Sequence, residues 1–131
     1  MRKLTVLSVC LLMILPLTAS AHPPDEGDHR WQYDPEVSFY GPGLYGNRTA
    51  CGITLTPDTY GVAHRSLPCG TLVRFEFTNY DSRTGGDGVR REIVVKVIDR
   101  GPYHPRRTWD LTAATCRALR HCFTAPIMWT R

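Results

Sequence analysis

The stretch from Val94 to Pro102 constrains the fold more than any other part of the sequence. Its first half is rich in β-branched residues, a composition that suits a pleated and largely buried strand. Gly101-Pro102 then ends the strand, because this dipeptide is strong turn punctuation. Asp99 therefore lies where a rigid strand meets a loop, a position that can hold a working carboxylate still. The alternative interpretation is that Asp99 pairs with Arg100 or caps the turn through the backbone.

Other segments with strand character surround this one, and turn residues separate them. Thr71 to Thr78 alternates apolar and polar residues, which predicts a half-buried strand. Arg91 to Asp99 is predicted to be its return strand across a mobile loop of residues 80–88. Shorter strands are predicted for Val37–Tyr40, Thr108–Leu111 and Ala125–Trp129.

Two short helices complete the pattern. The first is predicted to begin with Thr56 as its N-cap and Pro57 as its first residue, and it must be short because Gly61 follows. The second is predicted from Ala113 to Arg120, with Thr112 as its N-cap. Many short strands, tight turns and two small helices favour a mainly β fold, namely a compact β-barrel with short helical insertions.

The first 21 residues have the pattern of a secretory signal peptide. Arg2 and Lys3 precede an apolar stretch, and small residues up to Ala21 form an A-x-A cleavage pattern. The mature chain is then expected to begin at His22 and to have 110 residues, enough for one domain with a modest core. Residues 22–36 are polar, acidic and rich in chain breakers, so we predict a flexible lead-in before a barrel domain over residues 37–131. No second apolar segment is long enough to span a membrane, so we expect a secreted, extracytoplasmic protein.

Four cysteines remain after the predicted cleavage. Cys51, Cys69, Cys116 and Cys122 form an even set, which in a small exported domain indicates two disulfides. Of the three pairings that four cysteines allow, we favour the most local one, Cys51 with Cys69 and Cys116 with Cys122. Each bond would stabilise the fold by roughly 2–4 kcal/mol in the loop-entropy account. A zinc site built from the four thiolates is the rival interpretation, but the spacing contains no C-x-x-C pair.

Charge is distributed unevenly along the mature chain. Residues 22–88 carry five arginines and nine acidic residues, a net charge of −4, whereas residues 89–131 carry nine basic and three acidic residues, a net charge of +6. Such asymmetry predicts a basic face that meets an anionic polymer. For an exported protein we expect an anionic cell-wall glycan and not nucleic acid, bound by a monomer. The alternative is a solvated surface without a specific partner.

Several short motifs follow one another in an order that resembles a known family. They are Ser38-Phe39-Tyr40-Gly41, Arg48-Thr49-Ala50, Val62-Ala63-His64-Arg65-Ser66-Leu67-Pro68, Gly70-Thr71, Val97-Ile98-Asp99-Arg100-Gly101-Pro102 and Asp110-Leu111-Thr112. Together they resemble the RlpA-like (rare lipoprotein A) domain over about residues 37–122, and more distantly the barrel domain of expansins. The resemblance implies a six-stranded double-psi β-barrel with a groove for a glycan strand, and no metal or organic cofactor. It also implies lytic transglycosylase activity on peptidoglycan, which cleaves between N-acetylmuramic acid and N-acetylglucosamine and leaves a 1,6-anhydro end.

This chemistry needs one carboxyl group that acts first as a general acid and then as a base. It protonates the leaving glycosidic oxygen and then takes the proton of the sugar's own 6-hydroxyl, which replaces water as the nucleophile. The resemblance assigns this role to Asp99, and Arg100 should point away from it, because a neighbouring cation opposes the raised pKa of a general acid. His64 is expected to support Asp99 or a sugar hydroxyl, and is explained equally well as a structural histidine. Substrate contacts are expected from Tyr40, Tyr45, Arg48, Thr49, Arg100 and Tyr103, although lone tyrosines more often serve packing.

The sequence departs from the family at two acidic positions. Catalytically proficient relatives carry acids in a G-E-x-F-D stretch upstream of the histidine, where this chain has Ile53 and Thr56. Thr56 is explained as a helix N-cap and Ile53 as an apolar packing residue. Three functions stay open: a peptidoglycan-cleaving enzyme, a non-catalytic expansin-like module that binds or loosens the wall, and a secreted inhibitor or defence protein on the same barrel.

Overall fold

The computed structural model describes residues 30–131, so the predicted signal peptide and residues 22–29 of the predicted lead-in lie outside the described residues. The strands are β1 Gln32–Tyr40, β2 Val62–Ala63, β3 Leu72–Thr78, β4 Arg90–Asp99, β5 Asp110–Thr112 and β6 Ala125–Thr130. A 3₁₀ helix at Ser82–Thr84 and the α-helix α1 at Ala113–Leu119 lie between them. The six strands close into a barrel in the spatial order β1-β5-β2-β4-β3-β6. The predicted class, a mainly β six-stranded barrel, is confirmed.

The barrel combines parallel and antiparallel pairs. β1 pairs with β5 and β2 pairs with β4 in parallel, whereas the other neighbours are antiparallel. Since a parallel pair needs a crossover connection, residues far apart in sequence come to lie side by side. β3 and β4 form the predicted hairpin, with Leu72 opposite Lys96 and Thr78 opposite Arg90.

Large apolar side chains fill the barrel. Trp109 is fully buried, and its ring centroid lies 5.3 Å from that of Phe75 and 5.0 Å from that of Trp129, both with the rings edge-on. Full burial of a Val, Leu or Phe side chain contributes about 1.5–3 kcal/mol relative to exposure. The core therefore holds the strands that carry the site. Its other fully buried members include Val37, Val62, Val73, Val97, Leu111 and Leu119.

The barrel begins earlier than predicted. β1 starts at Gln32, within the expected flexible lead-in, and Gln32 and Asp34 pair with Trp129 and Ile127 of β6. Pro35 favoured the prediction of a flexible segment, because proline interrupts regular strands. The ladder between β1 and β6 shifts register between Asp34 and Val37, and such a bulge tolerates a proline because no ladder donor is needed there. The lead-in prediction is therefore wrong for residues 32–36.

The predicted helix at Thr56 is wrong. Residues 56–60 form a turn in which the Thr56 hydroxyl accepts a hydrogen bond from the Asp58 amide at 3.3 Å and contacts the Thr59 hydroxyl at 2.9 Å. A threonine hydroxyl that bonds the amide two residues on stabilises a turn with the same residue types that cap a helix. The chain then enters β2 through Gly61, where an added Cβ would lie 2.6 Å from the Ile98 side chain.

The second predicted helix is confirmed as α1. The Thr112 hydroxyl caps it by accepting a hydrogen bond from the Thr115 amide at 3.3 Å, as its position predicts. The helix ends at Leu119, because Arg120 adopts a left-handed conformation with φ of 54°. No helix within residues 30–131 has the length and apolar character needed to cross a bilayer.

Both predicted disulfides are present. Cys51 is bonded to Cys69 and Cys116 to Cys122, with Cα–Cα distances of 5.7 and 4.8 Å. The first bond joins the loop before β2 to the turn before β3, and the second links α1 to the segment that leads into β6. The rival interpretation, a zinc site of four thiolates, is thereby excluded.

Candidate active site

One row of residues in register crosses four neighbouring strands. Ser38 of β1 lies opposite Asp110 of β5. On the other side Asp110 lies opposite Ala63 of β2, and Ala63 lies opposite Asp99 of β4. Neighbouring strands are about 4.8 Å apart, and side chains in one row project from the same face. The side chains of Asp110 and Asp99 therefore flank the small side chain of Ala63.

An open hollow of about 310 Å³ lies over this row. A second hollow of about 160 Å³ adjoins it and shares Tyr40, Leu44 and Asp99 with it. We call the two hollows together the groove. The residues of the larger hollow that matter below are Tyr40, Ala63, Asp99, Tyr103, Arg107 and Asp110.

Main-chain donors hold the carboxylate of Asp99. Its Oδ1 accepts hydrogen bonds from the Ala50 amide at 2.9 Å and from the Arg100 amide at 2.8 Å. The Cys51 amide also donates to the Ile98 carbonyl at 3.2 Å, which fixes the loop that carries Ala50 against the end of β4. Asp99 is thus both capped by its turn and positioned at the groove, so the structural and functional interpretations of this residue are compatible.

Arg100 points away from the Asp99 carboxylate, as the general-acid hypothesis requires. Its guanidinium donates to the backbone carbonyls of His64 at 3.3 Å and Asp99 at 3.4 Å, and lies 3.5 Å from the Cys69 sulfur. These bonds fasten the turn after β2 to the end of β4.

Asp110 is a second carboxyl group in the groove, and the sequence analysis did not select it. The Ser38 hydroxyl donates to its Oδ1 at 2.6 Å. Burial raises the pKa of Asp110, and the negative charge of Asp99 raises it further. The hydrogen bond from Ser38 and the positive charge of Arg107 lower it. The net result is a pKa above the ordinary value. The available signal was the Asp-Leu-Thr motif, which carries no information about strand register.

Tyr40 places a neutral hydroxyl between the two acids. Its Oη is buried and has no hydrogen-bond partner of standard geometry among the described residues. Burial raises the pKa of Tyr40, and the charge of Asp99, a side-chain hydrogen bond toward Asp99 and the charge of Asp110 raise it further, so the hydroxyl keeps its proton. An unpaired buried hydroxyl is costly to stability, which favours a role as a donor toward a bound molecule.

His64 supports the site through its main chain. Its amide donates to the Asp99 carbonyl at 3.2 Å, while its Nδ1 accepts hydrogen bonds from the Ser66 amide at 3.1 Å and the Leu67 amide at 3.0 Å. Two donors on Nδ1 require the neutral tautomer with the proton on Nε2. Burial lowers the pKa of His64, and the charges of Arg100 and other arginines lower it further. Its ring packs on Trp109 at 4.5 Å and is not part of the groove lining.

Most of the predicted substrate contacts gather at the groove. Tyr40, Arg100 and Tyr103 line the larger hollow, and Tyr103 is 85 % exposed on its rim. Arg48 and Thr49 line the smaller hollow.

Two of these residues also brace their own loop. The Arg48 guanidinium donates to the Gly52 carbonyl at 2.8 Å, and the Thr49 hydroxyl accepts from the Ile53 amide at 3.1 Å. Tyr45, in contrast, lines neither hollow.

The two positions that lack the family's acids lie outside the groove lining. Ile53 is 43 % exposed, so the expectation that it serves apolar packing is wrong, and Thr56 belongs to the turn described above. Asp58, the nearest acid in sequence, is 96 % exposed and lies 3.8 Å from Arg117. Within the described part of the chain, Asp99 and Asp110 are therefore the acids of the groove.

A larger hollow of about 460 Å³ lies beside the end of α1 and offers no acid–base chemistry. Its arginines, Arg117 and Arg120, already donate to the carbonyls of Pro57 and Gly85. No carboxyl group lines it. Among residues 30–131 no cluster of His, Cys, Asp and Glu side chains has a metal-binding arrangement.

These features define a class of protein: a disulfide-linked, closed β-barrel with an open groove that presents two carboxyl groups. A family model described as lytic transglycolase matches residues 38–122. The chain belongs to this family, and the RlpA-like resemblance of its motifs is confirmed.

Curated relatives carry the same family name. The chain is 42 % identical over 83 residues to the probable endolytic peptidoglycan transglycosylase RlpA of Synechocystis sp., covering 63 % of this chain and 23 % of the relative. It is 39 % identical over 83 residues to the protein of the same name from Aquifex aeolicus, covering 63 % and 33 %. It is 34 % identical over 93 residues to endolytic peptidoglycan transglycosylase RlpA of Campylobacter jejuni, covering 70 % and 30 %. The match thus spans about a quarter to a third of the relatives' length.

Proposed function

We propose that the protein is an exported cell-wall enzyme that cleaves peptidoglycan glycan strands by lytic transglycosylation. The observation that carries the proposal is the register row, which places the carboxyl groups of Asp99 and Asp110 on either side of Ala63 in an open groove. The names of the relatives support the substrate class. The protein acts outside the cytoplasm as a monomer, and it binds the glycan through its own groove.

The groove has the parts that this reaction needs. A proton must reach the leaving glycosidic oxygen, and a proton must leave the sugar's 6-hydroxyl when that oxygen attacks C1. The positive charge that develops on the sugar ring is stabilised by a fixed negative group nearby. Asp99, held by two amides, supplies a carboxylate whose position does not depend on a flexible side-chain partner.

The walls of the groove suit a sugar polymer. The exposed ring of Tyr103 offers a stacking surface on one side, and Arg48 offers a cation on the other. The hydroxyl of Tyr40 is available as a donor to a sugar oxygen. Because the hollows are open, a glycan strand can lie lengthwise in the groove and be cut at an internal bond.

A second candidate function is a non-catalytic module that binds or loosens the wall. Ile53 and Thr56, which stand where the family carries acids, favour it. We prefer the enzyme, because neither position lines the groove and the two acids that do line it remain.

The test is a digest of purified sacculi and of isolated glycan strands with the mature protein, read by mass spectrometry for 1,6-anhydro ends. Native protein is expected to release such ends, and Asp99→Asn is expected to lose at least about 100-fold of the rate, the size of effect expected when a fixed charge at the reacting centre is removed. Asp58→Asn is the matched control, since Asp58 is exposed and lies outside the groove, and it should keep the native rate. Sedimentation of native protein with sacculi without any anhydro product would instead support the binding module.

A further inference from the structure

We propose that Asp110 donates the proton to the leaving oxygen, while Asp99 stays ionised across the groove. The inference rests on the proposed function and deepens it, because it divides the acid–base work between two carboxyl groups. It differs from the family motif, which implies that Asp99 performs the whole role. The two carboxyl groups differ in what surrounds them.

Main-chain amide donors hold the Asp99 carboxylate. Both amide donors bond the same oxygen, Oδ1, at 2.9 and 2.8 Å. An oxygen that accepts two N–H donors has its lone pairs occupied, and charge-assisted bonds of this kind favour the ionised carboxylate. The donors belong to Ala50, next to the Cys51–Cys69 disulfide, and to Arg100 in its own turn.

Asp110 has the opposite surroundings. Within the described residues its carboxyl accepts one hydrogen bond, from the Ser38 hydroxyl to Oδ1 at 2.6 Å. The second oxygen, Oδ2, is therefore free to carry a proton. A hydroxyl partner also suits both protonation states of the carboxyl, because it can donate to Oδ1 whether or not Oδ2 is protonated.

Groups from four elements face Asp110, and two of them, Asp99 and Arg107, are charged. From β4 it faces the carboxylate of Asp99, and from β2 it meets the uncharged Ala63. From β1 it meets Ser38 and the neutral hydroxyl of Tyr40. The remaining group is Arg107, from the loop before β5.

Arg107 is the one facing group that favours an ionised Asp110 by charge, and it is already paired. Its Nε donates to Glu36 Oε1 at 3.2 Å, and its guanidinium reaches the Ser38 hydroxyl at 3.4 Å. Glu36 therefore offsets part of the Arg107 charge, since its other carboxylate oxygen lies 3.3 Å from Arg106. Of two carboxyl groups that share one site, the less stabilised one retains the proton. Burial raises the pKa of Asp110 and the Asp99 charge supports this direction, against Ser38 and Arg107.

The proposed step balances without a co-reactant. The proton on Asp110 passes to the glycosidic oxygen as the C1–O4 bond breaks and its electron pair moves to that oxygen. The 6-hydroxyl oxygen of the same sugar then attacks C1, and its proton passes to the Asp110 carboxylate. Asp110 is thereby restored, and Asp99 keeps its negative charge beside the developing cation throughout.

The first test is independent of activity. In the full mature protein, the carboxyl carbon shifts of Asp110 and Asp99 are followed by NMR as the pH is varied. Asp110 is expected to titrate above the ordinary value of about 3.9. Asp99→Asn should lower the Asp110 midpoint by removing the like charge, and Ser38→Ala should raise it by about one pH unit. The proposal is overturned if Asp99 is the group with the higher midpoint.

The second test uses release of anhydro ends, with folding of each variant checked by its melting temperature. Asp110→Asn should lose at least about 100-fold of the rate. The native rate should fall as the pH rises through the Asp110 midpoint, and Ser38→Ala should move this midpoint upward by about one pH unit. A purely structural Asp110 would leave the midpoint unmoved, and full activity of folded Asp110→Asn would also overturn the proposal. If native protein releases no anhydro ends, the proposed function fails, whereas the NMR titration still decides which carboxyl group holds the proton.

Discussion

Tyr40 carries a buried hydroxyl that interacts with the Asp99 carboxylate but makes no hydrogen bond of standard geometry to it. Its Oη finds no hydrogen-bond partner of standard geometry within residues 30–131, and its pKa is raised by burial, so it remains a neutral donor. A group of this kind destabilises a protein by about 1–3 kcal/mol unless something bonds it. We therefore expect a bound sugar to accept a hydrogen bond from it.

Tyr40→Phe separates this role from packing. Because the variant keeps the ring and removes an unpaired oxygen, its melting temperature should equal or exceed that of the native protein. The rate of anhydro-end release should fall by about tenfold, the value of one lost hydrogen bond to the substrate. Phe75→Leu, which alters a ring buried in the barrel core, is the contrasting variant and should lower the melting temperature. A less stable Tyr40→Phe protein with native activity would contradict this assignment.

His121 predicts a pH dependence of stability. It is fully buried between Phe77 and Phe123, its Nε2 lies 3.1 Å from the Ala125 carbonyl, and its Nδ1 has no partner among the described residues. Burial lowers the pKa of His121 below the ordinary 6.5. The unfolded chain thus binds this proton at a higher pH than the folded chain does. Stability from His121 is complete above about pH 6.5 and is lost as the pH falls below that value.

The measurement is the free energy of unfolding in urea between pH 7 and pH 5. We expect a fall of at most about 1.4 kcal/mol per pH unit from this residue. Asp110 titrates with the opposite sign, so native protein must be compared with His121→Gln, in which the amide can still donate to the carbonyl. The variant should show a shallower decline toward pH 5, and equal slopes would remove His121 as the cause.

At the scale of elements, the two disulfides are expected to contribute differently to activity and to stability. Cys51–Cys69 closes a separation of 18 residues and fixes the loop whose Ala50 amide bonds Asp99, whereas Cys116–Cys122 closes a separation of 6 residues at the end of α1. Chain entropy alone predicts losses of about 3 and about 2 kcal/mol when the bonds are removed. Removal of the two bonds should therefore cost similar amounts of stability, whereas removal of Cys51–Cys69 should cost far more activity than removal of Cys116–Cys122.

Paired serine variants test this difference, each assayed at a temperature where both remain folded. Replacing Cys51 and Cys69 should reduce the release of anhydro ends by at least tenfold, because the amide donor to Asp99 is no longer held. Replacing Cys116 and Cys122 should leave the rate within about twofold while lowering the melting temperature. Equal rates for the two pairs would show that the first disulfide serves stability alone.

How far the sequence predicts each element depends on how local its cause is. The hairpin of β3 and β4 and the capped helix α1 were predictable, because alternation and capping act within a few residues. Two local predictions were wrong. Pro35 suggested a chain break but lies at a β-bulge, and Thr56 suggested a helix N-cap but lies in a turn, because the same residue types serve both purposes. Asp110 was missed for a different reason. Its place beside Ala63 and Asp99 depends on register between strands far apart in sequence, which no local pattern encodes.

At the scale of the whole molecule, folding recombines the charges that the sequence separates. Arginines of the basic C-terminal half form ion pairs with acids of the N-terminal half. These pairs are Arg90–Glu76, Arg91–Asp87, Arg106–Glu36, Arg107–Glu36, Arg117–Asp58 and Arg120–Asp87. A uniformly basic face therefore does not follow from the asymmetry of the sequence.

Within residues 30–131, three arginines at or near the groove form no ion pair with a carboxylate. The guanidiniums of Arg48, Arg65 and Arg100 donate to backbone carbonyls, which orient them without neutralising them. Arg48 and Arg100 also line the groove itself. Attraction to an anionic glycan should thus be local and carried by few charges, and such attraction weakens as the Debye length falls from about 10 Å at 0.1 M salt to about 3 Å at 1 M.

Binding to sacculi at increasing salt tests this distribution. Arg48→Gln should weaken binding about threefold to tenfold at low salt and should flatten the dependence on salt, because one of the few uncompensated charges at the groove is gone. Arg90→Gln removes the same charge from the outside of the β3–β4 hairpin, where Glu76 already offsets it, and should change neither affinity nor salt dependence. Equal effects of the two variants would mean that net charge, and not the placement of arginines at the groove, attracts the glycan.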